Sequence, residues 1–137
     1  MNFRGCSGEN NRLPRTYHAG ETNDLDYVLN WLHLHNSDVP LFAVGFSLGG
    51  NMLLKLLGQK DPELPLAAAA AVSVPFKLSE CASRLEKGFS KIYQHWLIGS
   101  MKKTAIRKAD QHNTGLDMPA LLKARTFREF DNLGTAP

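Results

Sequence analysis

Cysteine is scarce: Cys6 and Cys81 are the two among 137 residues, far apart, with no CxxC spacing and no paired Cys/His arrangement. Neither a disulfide framework nor a zinc site is indicated, and the thiols suit a reducing compartment. No block of like charge is present. Sixteen Lys and Arg against 13 Asp and Glu leave a net charge of +3, and the basic residues are spread along the chain rather than gathered into the short runs that grip nucleic acid. No nucleic-acid partner is expected. The longest uncharged apolar run, residues 64–76, is shorter than the roughly 20 residues that cross a bilayer and contains Pro65 and Pro75. The opening "MNFRGCSGENNR" lacks the apolar stretch of about 7–15 residues that marks a secretory signal. A cytoplasmic location with no transmembrane segment is the expectation, and no cofactor or metal is indicated.

What is present is an alternation of strand and helix patterns in a chain whose 43% hydrophobic content suffices for one core. A loop rich in Gly, Asn, Pro and Ser, "RGCSGENNRLPRTYHAG", is followed by helical spacing of Leu25, Val28, Leu29 and Leu32, with Thr22 or Asn23 as the cap and an end near "HNSD". After Pro40, "LFAVGF" is apolar without alternation, as expected for a parallel strand covered on both faces. "LGGNMLLKLLGQK" then has the wide apolar stripe of a well-covered helix. In "LAAAAAVSVPF" the alanines favour helix, but the Val-Ser-Val-Pro ending and the position after a helix favour a second buried strand. Residues 79–110 are expected to be continuously helical, with Gly88 and Gly99 as points of interruption and an aromatic-rich stripe including Phe89, Tyr93 and Trp96. A short helix, "PALLKARTF", is expected to begin at Pro119.

The chemistry lies in "GFSLG". A bare Gly-x-Ser-x-Gly arises by chance in roughly one chain in twenty of this length, taking glycine and serine each near 7%. Here, however, it joins a buried strand to a helix, the setting a nucleophile elbow requires. The serine of such an elbow sits in a strained backbone conformation that tolerates little bulk nearby. Gly45 and Gly49 would make room, Ser47 would project its hydroxyl above the sheet, and the Leu48 N–H would be one oxyanion-hole donor.

The segments "MNFRGCSGENNRLPRTYHAGET", "AVGFSLGGNMLLKLLG", "VSVPFKL", "EKGFSKIYQHWL" and "FREFDNL", in this order, resemble the YheT-like branch of the α/β-hydrolases, a group of serine carboxylesterases. The resemblance covers nearly the whole chain. It implies an α/β fold with an eight-stranded, mostly parallel sheet, in which this chain supplies the end of the fourth strand and the fifth and sixth strands. It also implies a division into residues 1–78, a partial hydrolase core with the elbow, and residues 79–137, part of a helical cap. The elbow serine is the family's nucleophile, and Ser47 matches it.

An elbow serine is activated by a histidine oriented by an acid, in chain order Ser, Asp/Glu, His. In the family both follow the cap, beyond "NLGTAP", and the loop giving the second oxyanion donor precedes "MNF". The resemblance therefore implies the central part of a larger enzyme, with a nucleophile and half an oxyanion hole and no appreciable turnover alone. His95 and His112 satisfy the chain order but are expected on cap helices, where a surface role is the commoner one. His18, His33 and His35 precede the serine and read as loop or helix-surface residues. Arg4, Cys6 and Ser7 occupy a loop that would face the active site in the full fold, and Tyr93, Trp96 and Leu97 suit either an acyl-pocket wall or, more commonly, core. The expected partner is a small-molecule or lipid-like ester. The alternative function is a non-catalytic binding or assembly module that self-associates through exposed strand edges.

Overall fold

The computed structural model describes residues 1–9, 11–13, 15–60 and 62–134. The elements are α1 (Asn23–His35), β1 (Phe42–Phe46), α2 (Leu48–Lys60), β2 (Ala68–Val72), α3 (Leu78–Leu85), α4 (Ser90–Ala109), α5 (Met118–Lys123) and α6 (Phe127–Gly134). They form two compact units, one spanning His18–Phe76 and the other joining residues 1–17 to the segment from Lys77 onward. The N-terminal 17 residues thus group with the later helices, whereas the family resemblance implies that they belong with the strands in residues 1–78. Within the segment Phe3 stacks on Tyr17 at 4.8 Å, and its ties to the later helices include the charge of Asp131 of α6 acting on Tyr17 and that of Arg4 acting on Lys108 of α4.

In the unit of residues 18–76, β1 and β2 pair in parallel, from Phe42 opposite Ala68 to Phe46 opposite Val72, joined by α2 as parallel strands require. The alanines of β2 are strand because sheet pairing overrides their helix propensity. The core forms where Leu29 of α1 meets Leu56 and Leu64, flanked by Leu25, Leu57 and Leu66. Met52, Leu53 and Leu56 of α2 are at most 2% exposed, each contributing about 1.5–3 kcal/mol by burial. Polar ties fix the α1–α2 contact: the Thr22 hydroxyl donates to Gln59 Oε1 at 3.1 Å, Lys55 Nζ donates to the Gly20 carbonyl at 2.9 Å, and Lys60 pairs with Asp26. Thr22 is the N-cap residue but makes no side-chain cap bond; the buried Glu21 carboxylate accepts from the Asn23 N–H at 3.1 Å instead.

Two expectations about the strands are corrected. Among the described residues the sheet has two strands, and Met1–Phe3, expected as the end of a fourth, takes no strand pairing, because a strand exists only against a partner. β1 is covered on one face only: Gly45 is buried against α2, while Phe42, Val44 and Phe46 are each at least 60% exposed.

In the other unit, Ile98 of α4, Leu121 of α5, Ala124 and Phe130 of α6 form the core. The expected continuous helix breaks after α3, where Gly88 adopts a left-handed φ of +57° and Arg84 donates to the Lys87 carbonyl and the Ser90 hydroxyl. Gly99 does not interrupt α4, since a helix tolerates an interior glycine at modest cost. The Asp117 carboxylate caps α5 by accepting from the Ala120 N–H at 3.0 Å, placing the start at Met118 rather than Pro119. α6 is an additional helix. Its start is set by Thr126, whose hydroxyl accepts from the Glu129 N–H at 3.2 Å, and by Glu129, which reaches back to the Arg125 N–H, an arrangement close to a capping box. The aromatic stripe is not core: Phe89, Ile92, Tyr93 and Trp96 are exposed, with Tyr93 stacked on Trp96 at 6.2 Å.

Candidate active site

Ser47 is the single residue between the end of β1 and the start of α2. Its N–H donates to the Val72 carbonyl at 2.8 Å and its own carbonyl accepts from the Asn51 N–H at 3.1 Å. One residue therefore closes the sheet ladder on one side and opens the helix ladder on the other. Satisfying both requires an abrupt turn, and Ser47 takes a φ of +49°, a left-handed conformation that costs an L-residue about 1–2 kcal/mol. Such strain persists only where the surroundings over-determine it.

Glycines supply that constraint. A Cβ on Gly45 would lie 2.7 Å from the Gly49 carbonyl oxygen and 2.7 Å from Gly50 Cα. A Cβ on Gly50 would lie 2.9 Å from the Gly45 carbonyl oxygen and 2.8 Å from Val74 Cγ2. The tight pair is thus Gly45 with Gly50, and Gly49 takes part through its backbone carbonyl. Gly50 was not singled out by the sequence pattern, although a second consecutive glycine at a helix start was the available signal. The Leu48 N–H is the first of α2, and the first N–H groups of a helix have no intrahelical acceptor. The Ser47 side chain is exposed at the carboxyl ends of the strands, where open α/β sheets bind their ligands.

A second serine shares this edge. Ser73 follows β2 directly and has a φ of +53°. Its turn is braced by α2: Val74 fits against Gly50, and Asn51 Nδ2 donates to the Pro75 carbonyl at 3.0 Å. Two left-handed serines therefore end two adjacent parallel strands. No sequence motif marked Ser73.

His18 Nδ1 accepts from the Gly20 N–H at 3.1 Å, His35 stacks on Trp31 at 4.2 Å, and His33 is exposed on α1. Arg4, Cys6, Ser7, Tyr93, Trp96 and Leu97 belong to the other unit, as do His95, exposed on α4, and His112. His112 follows the end of α4 rather than lying on a helix. Among the described residues no group of three or more His, Cys, Asp or Glu is placed to hold a metal ion, and no helix is long and apolar enough to cross a membrane.

A family model described as "alpha/beta hydrolase fold" matches residues 1–137. The chain belongs to the α/β-hydrolase fold family. Within it the chain is YheT-like: it is 46% identical over 138 residues to a protein of Escherichia coli (strain K12) named "Putative esterase YheT", covering 99% of this chain and 41% of that protein. It is 34% identical over 137 residues to "Phospholipase ABHD3" of Homo sapiens, covering 99% of this chain and 34% of that protein. It is also 30% identical over 145 residues to "Monoacylglycerol lipase" of Saccharomyces cerevisiae (strain ATCC 204508 / S288c), covering all of this chain and 32% of that protein. The chain spans about a third to two fifths of the length of these relatives. No solved structure matches it.

Proposed function

We propose that this chain carries the nucleophile of a carboxylic ester hydrolase, with Ser47 as the attacking residue. The observation that supports this reading most directly is the φ of +49° at a one-residue strand-to-helix turn, with the serine side chain exposed. In the proposed reaction Ser47 Oγ bonds to the ester carbonyl carbon as its proton passes to a base, and the carbonyl oxygen becomes an oxyanion. The Leu48 N–H and a second donor hold that oxyanion. Collapse expels the alcohol, which takes up the proton, and water then hydrolyses the acyl-serine to the acid. The names of the relatives, an esterase, a phospholipase and a monoacylglycerol lipase, favour small-molecule or lipid-like esters.

The base and its orienting acid are assigned to residues outside this chain: His18 and His35 are committed locally, His33 is exposed on α1, His95 and His112 belong to the other unit, and the chain spans 41% of the length of its esterase relative. The 137-residue chain alone is then expected to hydrolyse esters at no more than the residual level left when triad partners are lost. Fluorophosphonate labelling with mass mapping tests both parts. No adduct on the isolated chain, with labelling at Ser47 in a protein extended to the relatives' length, is the expected result. Labelling of the extended protein that survives Ser47→Ala overturns the nucleophile, whereas an adduct on Ser47 of the isolated chain overturns the assignment of the base.

A second reading rests on the open face of β1. The exposed Phe42, Val44 and Phe46 favour a binding or assembly module that self-associates, with sedimentation of the Ser47→Ala chain as its test: a monomer at all concentrations removes it.

A further inference from the structure

We propose that an open cleft at the C-terminal end of α4 is a binding site for a phosphate-type oxyanion. The cleft has a volume of about 550 Å³, and its lining includes Glu9, Asn11, Arg12, Arg107, Gln111 and His112. The proposal concerns the helical unit and stands independently of Ser47.

Three observations converge on an anion. His112 buries its Nε2 from solvent with no hydrogen-bond partner among the described residues, and leaving such a group unsatisfied costs about 1–3 kcal/mol. His112 lines the cleft, and a turn of its ring that brings an Nε2–H onto an oxyanion there removes that cost. Two guanidinium groups line the same cleft against one carboxylate, Glu9. Arg107 lies in the last turn of α4, where a cation also serves the negative end of the helix dipole, and its Nη2 donates to the Thr104 hydroxyl at 3.4 Å. That dipole does not account for Arg12, which lies on the N-terminal loop and makes no hydrogen bond or ion pair among the described residues. The loop presenting it is pinned by Asn11, whose Nδ2 donates to the carbonyls of Leu13 at 3.1 Å and Arg15 at 2.8 Å. Beyond the lining, Lys108 holds its proton less tightly than an ordinary lysine, through burial first and the charge of Arg4 second. Positive charge is therefore crowded at this end of α4.

Guanidinium forks match tetrahedral oxyanions with paired donors, and the space exceeds what a bare ion needs, so a substituted phosphate also fits. Free phosphate and the phosphodiester of a lipid headgroup share this chemistry. The test is titration of the 137-residue chain at constant ionic strength with inorganic phosphate and, in parallel, with glycerophosphocholine, followed by phosphorus NMR line broadening. Saturable binding of at least one probe, weakened roughly tenfold in Arg12→Gln by loss of a charged hydrogen bond and also weakened in His112→Ala, is the expected result. Tighter binding of inorganic phosphate identifies a free anion as the occupant, and tighter binding of glycerophosphocholine identifies a headgroup; either supports the site. Absence of saturable binding of both probes, or binding undiminished in Arg12→Gln, overturns it. Arg12 is exposed and makes no hydrogen bond or ion pair among the described residues, so its variant keeps the unfolding midpoint of the parent and the test stands even where His112→Ala fails to fold.

Discussion

A methyl group added at Gly45 or Gly50, in the unit of residues 18–76, would meet other atoms at 2.7–2.9 Å, whereas one added at Gly99 or Gly115, in the helical unit, would meet nothing within 4 Å. The first unit is held at the elbow by backbone lying on backbone, and the second by side chains filling space around Leu121, Ile98 and Phe130. The same kind of substitution should therefore act in opposite directions in the two places. Backbone contact allows a sharp, strained turn to be set with few atoms, which suits a site. Side-chain packing leaves Gly99 of α4 without a structural task.

The largest expected effect is at the filled core. Leu121 is fully buried, so Leu121→Ala should lower the unfolding free energy by about 2–5 kcal/mol, measured by urea denaturation; a loss below that range would mean the helical core collapses around the gap. Next is Gly45→Ala, expected to cost about 1–3 kcal/mol, toward the upper end because the obstructing atoms are backbone. An unchanged midpoint would show that the elbow yields and would end the contrast between the units.

Tyr17 sharpens the side-chain half of the comparison. Burial, with the neighbouring Cys6 and Asp131 adding to it, pushes its phenol up to about 12 from 10.0. The folded state thus keeps the proton longer than the unfolded chain, so the stabilisation, reduced by solvent screening of the partly exposed phenol to about 1 kcal/mol, is complete below pH 10 and is lost as the pH rises toward 12. Absorbance titration of tyrosinate should show a late phase near pH 12 that vanishes in Tyr17→Phe.

Smaller effects test strain directly. Ser73→Gly should raise stability by up to about 1 kcal/mol, since glycine adopts a φ of +53° freely, less the extra chain entropy it loses on folding. A net loss would mean that the Ser73 hydroxyl holds its turn. Gly99→Ala, inside α4 with open space around it, should stabilise by about 0.5–1 kcal/mol, read as a rise in thermal midpoint.

Much of the strand and helix order was legible because apolar residues change from an unbroken run in "LFAVGF" to a helical stripe in "NMLLKLLG". The strand-to-helix turn at Ser47 was legible for the same reason, since the glycine pattern falls where those two periods meet. α6 was missed although "TFRE" contains its capping signal; the pattern was absorbed into the preceding helix. Gly88 and Gly99 carried the same local signal, but only Gly88 has a positive φ, because α4 packs through Ile98 against Leu121 and holds its helix across Gly99.

The sequence by itself determined which segments can be strand or helix, and that Ser47 stands at a strand-to-helix junction, because these follow from local periodicity and steric limits. Tertiary structure alone decided that Gly45 lies against Gly50, that Ser73 shares the left-handed conformation of Ser47, and that residues 1–17 group with the later helices. It also decided that Phe42, Val44 and Phe46 stay exposed while Leu121 is buried. Each of these depends on which distant residue arrives to fill or leave open a given space, and an apolar residue has the same affinity for any partner that comes.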